Sequence, residues 1–238
     1  MTDIGRRQLV SATVALAGFV AATGANAAEK PKTGAGQDKE PGAVEDLMRE
    51  HGVLRRALLV YREIVPTVRS SPAKVDAKAL NRTATLFRSF GEDYHEKKLE
   101  EAHIFPVVRK AGGPAAAYPD VLTVQHNRGR EVTDYILAVT ASGSVSGTHA
   151  EPLAQALESF VAMYQNHAAR EDTIVFPAWK TALSQRAIDA FGEQFEAIEK
   201  AAFGHDGFDD AVRQIGEIER AFGIADLAHF TPARPPKA

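Results

Sequence analysis

Six residues carry the types and spacing from which buried metal or acid–base chemistry is built: His51, His95, His126, His167, Glu100 and Glu171. Each histidine falls at steps of three or four from apolar neighbours, which puts it on the inward seam of a helix. One seam histidine alone is an ordinary hydrogen-bonded core residue. Four of them, one in each of four successive segments, pose a different problem. Neutral imidazoles that face one another need partners, and protonating them together in a low-dielectric interior is costly. A shared cation removes both difficulties. Glu171 follows His167 by one helical turn and projects from the same face, where an ionised carboxylate has to be paired or metal-bound. Imidazole plus carboxylate, without sulfur, suits iron, manganese or zinc. The chain has no cysteine, which excludes disulfides, thiolate clusters, zinc knuckles and cysteine nucleophiles.

An internal repeat ties the two glutamates together. The run Glu100-Glu101-Ala102-His103-Ile104-Phe105-Pro106 matches Glu171-Asp172-Thr173-Ile174-Val175-Phe176-Pro177, each first Glu standing six residues before its proline. Each run is preceded by a segment with a lone seam histidine, His51 or His126. Two helix pairs, each offering His and then His plus Glu, are expected to enclose two cations about a pseudo-twofold axis. The His167–Glu171 step is four residues, but His95–Glu100 is five, about 140° past its start on an ideal α-helix. A π-bulge would absorb the extra residue, and such bulges favour functional sites. Leu99, four after His95, cannot ligate. Glu96 and Glu101 compete with Glu100, and the Phe-Pro anchor favours Glu100. His103 reads either as a residue orienting a carboxylate or as a surface residue. His149, His205 and His229 fall outside the seams. Tyr61, Tyr94 and Tyr164 fall on or beside them, where packing is the commonest use. Gly91 and Gly129 leave room for a small ligand or for close packing. Arg55-Arg56 and Arg128 with Arg130 read as solvated faces.

The elements that must hold these residues are helices. Apolar residues recur at helical steps through Leu47–Val65, Leu80–Ala102, Leu122–Ile136 and Leu153–Ile174, broken near Ser70-Ser71-Pro72, Gly112-Gly113-Pro114, Gly143 and Ser184. No stretch alternates with period two for long, so no sheet is expected. Four long helices with short links predict an all-α, antiparallel four-helix bundle over 44–184. A C-terminal extension, 185–238, should add helices at about 185–202 and 208–222. Phe191, Phe195, Ile198 and Phe203 are expected to cover one end of the bundle, ahead of an extended Pro-rich tail.

The first 27 residues read as an export signal. Arg6 and Arg7 precede an uncharged apolar run, and Ala25-Asn26-Ala27 fits an A-x-A cleavage site. The run is too short for a comfortable membrane span, so no stable span is expected after cleavage. Paired arginines followed by Gln8-Leu9-Val10 fit a twin-arginine signal, although general secretory signals also begin with arginines. A periplasmic location follows from either route. Residues 28–43 have the composition of a flexible linker. Lys+Arg is 28 against Asp+Glu 31; losing Arg6, Arg7 and Asp3 with the signal leaves 26 against 30. That balance excludes a generally basic nucleic-acid binder. With 45% hydrophobic and 25% charged residues, the chain belongs to the globular class.

The ordered set His51 … Tyr94-His95 … Glu100-Glu101 … His126 … His167-Ala168-Ala169-Arg170-Glu171 … Phe176-Pro177 resembles the hemerythrin HHE cation-binding family. The resemblance covers roughly residues 44–180. It implies a non-haem di-iron centre in a four-helix bundle, with His51, His95, His126 and His167 as terminal ligands and Glu100 and Glu171 bridging. Oxygen-carrying hemerythrins have a further histidine four residues after the third-helix histidine. Here that residue is Arg130, so the set is nearer to bacterial HHE members, which are linked to oxygen, nitric oxide or iron sensing, storage or detoxification. The partner implied is a small diatomic molecule or peroxide. The alternative is a metal-binding or sensing module without catalytic turnover.

Overall fold

The structure, a computed structural model, describes residues 41–236. The expected signal, 1–27, and the expected linker up to residue 40 lie outside the described residues. Helix α1 spans Ala43–Ser70. The second rod begins as α2, Ala77–Leu86, with the Asp76 side chain accepting from the backbone N–H of Ala79. It continues unbroken through a π-helical stretch, Phe87–Ile104, into α3, Phe105–Ala111. Gly112 and Gly113 then take φ of +74° and +72°, which only glycine adopts freely, and the chain reverses. Helix α4 spans Tyr118–Thr140. The fourth rod runs as α5, Ala150–Arg170, a π-helical turn, Glu171–Val175, and α6, Phe176–Thr181. No strand occurs among the described residues.

These four rods form an all-α bundle. Helix α1 packs on α5, α2 on α4, α4 on α5, and α1 on the π-helical stretch. Seam residues bury as their spacing dictates: Leu47, Leu58, Tyr61, Leu80, Phe87, Leu122, Ile136, Leu157 and Phe160 are all buried. Tyr61, Phe87, Phe160 and Tyr164 interlock below the polar site, with centroids 4.6–5.6 Å apart between Phe160 and each of the others.

Two further helices follow: α7, Gln185–Phe203, capped by Ser184, and α8, Gly207–Ala221, capped by Asp206. Phe191 and Phe195 pack on Trp179 near the C-terminal end of the fourth rod, while the rest of the hairpin runs along the side of the bundle. Helix α8 lies along α1 and α2, while α7 lies on α1 and the π-helical stretch, so the hairpin fills the groove flanking the first two rods. Phe203 meets Tyr94 edge-on at 5.2 Å, and Trp179 stacks on Phe195 at 6.0 Å. The amphipathic faces of α7 and α8 explain this placement, since both bury one stripe along their length and neither has the apolar circumference of an end plug. After a short helical turn at Leu227–Phe230, residues 231–236 have no regular structure. Among the described residues no helix is long and apolar enough to cross a membrane.

Candidate metal centre

A five-residue period governs the second rod where it matters. Along the π-helical stretch and into α3, Phe90, His95, Glu100 and Phe105 recur every five residues, all buried, and Phe105 donates its backbone N–H to the Glu100 carbonyl. The five-residue step that misfits an α-helix therefore aligns His95 with Glu100. The fourth rod uses four residues from His167 to Glu171 and then the same i to i+5 bond, Phe176 N–H to the Glu171 carbonyl. Both Phe-Pro motifs thus close a π-helical segment that contains a bridging glutamate candidate. Their phenylalanines wall the site: Phe105 stacks on the His126 ring at 5.5 Å, and Phe176 on His51 at 5.3 Å.

The six residues singled out by spacing converge. His51 and His95 bring their Nε2 atoms to 3.0 Å, and His126 and His167 do the same at 3.0 Å. Glu100 spans the two pairs, Oε1 lying 3.3 Å from His95 Nε2 and Oε2 3.4 Å from His126 Nε2. Glu171 spans them in the opposite sense, with Oε2 3.5 Å from His51 Nε2 and Oε1 3.0 Å from His167 Nε2. All six are buried. Ligand atoms each about 2.1 Å from one ion and at right angles stand about 3 Å apart, which is the spacing found within each half of the cluster.

Behind the imidazoles lies a ring of acceptors. His51 donates from Nδ1 to Asp172 at 2.7 Å, His95 to Glu50, His126 to Glu101 at 2.9 Å, and His167 to Gln125 at 2.9 Å. With every Nδ1–H committed outward, every Nε2 turns a lone pair inward. Two lone pairs at 3.0 Å repel unless a cation stands between them. The four carboxylate oxygens of Glu100 and Glu171 have no hydrogen-bond donor at all. Buried carboxylate oxygens without partners are costly, and groups drawn from these residues meet the geometric requirement for holding a metal. The donor set and its orphaned oxygens fit a pair of cations.

Electrostatics lead to the same conclusion. Burial pushes the Glu171 carboxyl well up, and the neighbouring Glu100 charge adds to it. Glu100 is just as buried, yet His95 and His126 hold it well below the usual carboxylate range. Burial and His126 lower His167 to about 4. Burial also opposes charge on His126, but Glu96, Glu100 and Glu101 raise it to about 10. Protons alone leave the two glutamates unequal, Glu100 held ionised and Glu171 pushed toward its neutral form; two cations allow both carboxylates to ionise.

The competitors for Glu100 face elsewhere. Glu101 accepts from His126 and from Arg130, 2.7 Å away. Glu96 accepts from the Tyr164 hydroxyl at 2.7 Å and lies 3.4 Å from Arg130. Glu96, Glu101 and His126 also form a compact group, but the Arg130 guanidinium already lies on both of its carboxylates. The arginines expected on solvated faces are engaged: Arg55 pairs with Asp172, Arg56 with Glu219 and Arg130 with Glu101, while Arg128 alone stays at the surface with Glu131. His103 orients no carboxylate; it sits against Phe191 and Phe195 at about 6 Å. Gly129 makes room for Tyr164, because a Cβ there would lie 2.0 Å from its hydroxyl oxygen. The acceptors Glu50, Gln125, Glu101 and Asp172 had a signal in the sequence, since each is the immediate neighbour of a ligand candidate. That adjacency reads as ordinary surface charge until the crossing of the rods is known.

The family model for the hemerythrin HHE cation-binding domain matches residues 42–179. The chain belongs to the hemerythrin HHE family. Uncharacterized proteins of two strains of Mycobacterium tuberculosis and one of Mycobacterium bovis are 38% identical to it over 237 residues, covering 97% of this chain and 92% of theirs. No solved structure matches it significantly. The hemerythrin-like domain therefore carries a cation-binding cluster of His and Glu inside its bundle, and α7 and α8 lie beyond the matched residues.

Proposed function

We propose that the hemerythrin-like domain holds a non-haem di-iron centre and uses it to bind or react with oxygen, nitric oxide or peroxide. The terminal ligands are His51, His95, His126 and His167, and the bridges are Glu100 and Glu171. The observation that carries this reading is the criss-cross of Glu100 and Glu171, whose four donor-less oxygens each face a different imidazole. Manganese or zinc would accept the same donors; iron is the metal typical of the family. When bound, the metal pair supplies Lewis acidity and electrons at an open coordination position.

The chain's own residues bound what reaches that position. A cavity of about 10 Å³ beside the cluster is lined by Leu54, Leu58, Phe87 and Tyr164 as well as ligand candidates. It has room for about one water-sized molecule, which supports a diatomic or peroxide ligand over a larger substrate. Tyr164 presents a ring to this cavity while its hydroxyl is tied to Glu96.

The test is a titration of the anaerobic, reduced, iron-loaded protein with each small molecule, followed by visible absorption. A charge-transfer spectrum that appears with at least one of the three is expected. A spectrum indifferent to all three contradicts the proposal. Consumption of the molecule over many equivalents then separates turnover from binding alone.

Export to the periplasm belongs to the same reading, supported by Arg6-Arg7 and Ala25-Asn26-Ala27. Replacing Arg6 and Arg7 by lysine together should abolish export through a twin-arginine route, read as loss of the chain from the periplasmic fraction. Unimpaired export would assign it to general secretion.

A further inference from the structure

The internal repeat is reproduced in three dimensions with one break. The residue after each bridging glutamate serves the lone histidine of another rod: Glu101 serves His126, and Asp172 serves His51. The residue before each lone histidine serves the remaining imidazole: Glu50 serves His95, and Gln125 serves His167. Three acceptors are carboxylates and the fourth is an amide. A carboxylate behind an imidazole raises its basicity and its grip on a metal, whereas a neutral amide fixes the ring with less effect.

The surroundings break in the same place. Glu50 is buried, takes a second hydrogen bond from the Tyr94 hydroxyl at 2.9 Å, and lies beneath α7, where Phe203 packs on Tyr94. At the equivalent place Gln125 is only half-buried. The residue matching Tyr94 is Asn166, whose amide turns to its own helix at Ala162. Gln125, Asn166 and His167 line a cavity of about 190 Å³ with Tyr118, Leu122 and Arg170, and Val121 and Val124 stand exposed nearby.

We propose that the two cation positions are inequivalent: the His51/His95 position is the tight, permanent one, and the His126/His167 position is the exchangeable one, loaded and emptied through the Gln125 cavity. Glu96 adds a buried carboxylate 4.0 Å from His126 Nδ1 at the second position, but its hydrogen bonds go to Tyr164 and Arg130. The inference rests on the di-metal reading above. It gives the C-terminal hairpin a role, since α7 closes the side of the first position and leaves the second open.

The test loads the full chain anaerobically with ferrous iron alone, then follows removal by an excess of a strong iron(II) chelator. Two phases of equal amplitude are expected. Gln125→Glu, which puts a carboxylate where the amide stands, should slow the fast phase about tenfold or more and leave the slow phase alone, in line with the roughly 10–100-fold effects of such partners on affinity. Glu50→Gln should quicken only the slow phase. A single phase carrying both irons, or a Gln125→Glu protein with an unchanged fast phase, overturns the inference. Failure to load two irons at all would instead overturn the di-metal reading.

Discussion

Glu100, Glu101 and Glu96 stand within six residues of one another, yet the rod gives each a separate task. Glu100 faces the imidazoles, Glu101 backs His126, and Glu96 holds Tyr164. On the di-metal reading Glu100→Gln removes a bridge, and it should lower the bound metal by at least one equivalent per chain. Glu101→Gln and Glu96→Gln should keep the stoichiometry, because neither contributes an oxygen to the inner set; metal analysis of the three purified variants checks this. At Gly129 a methyl group would meet the Tyr164 hydroxyl head-on. Gly129→Ala should cost about 1–3 kcal/mol, the usual range for forcing extra volume into a packed interior, measured by denaturant unfolding. The sequence made the inner residues legible because the Phe-Pro anchor aligned Glu100 with Glu171. It hid the outer acceptors, because Asp172 and Glu101 reach across to other rods, and no spacing along one chain encodes that reach.

At the scale of elements, helical periodicity laid out the rods and the breaks between them. The five-residue step flagged one bulge, whereas the π-helical geometry extends over Phe87–Ile104. Periodicity missed that extent because a gradual unwinding moves each side chain only slightly from its α-helical place. The place of α7 and α8 was also hidden, since an amphipathic hairpin announces that it covers something but not what. Its docking has a charge signature. Asp46 is raised to about 6 by burial and then by Glu50, and Glu199 to about 7 by burial and, among its charged neighbours, Glu50. Both carboxyls have folded pKa values above their ordinary 3.8 and 4.5. Their stabilising state is the protonated one, present in full below the ordinary values and lost as pH rises through about 6 to 7. The hairpin should therefore loosen between about pH 5 and 8, read by hydrogen exchange of α7 and α8. Glu199→Gln should flatten that dependence. Asp172 behaves oppositely: despite burial, His51 and Arg55 hold it below the usual carboxylate range, so its contribution is lost only on acidification.

Across the whole molecule, a two-fold repeat builds a nearly symmetric centre and an unsymmetric extension covers one side of it. Helices α1 and α4 each bring a lone histidine; the second and fourth rods each bring His, then Glu, then Phe-Pro. Four rods in mutual contact aim side chains from four directions at one interior point. The central claim is that this point holds two cations. Its most direct test is the metal-to-chain ratio of the full protein loaded with iron and freed of loosely bound ion. The account predicts two irons per chain in the parent protein and fewer than two in Glu171→Gln. One iron or none in the parent, or a ratio that Glu171→Gln leaves at two, would contradict it.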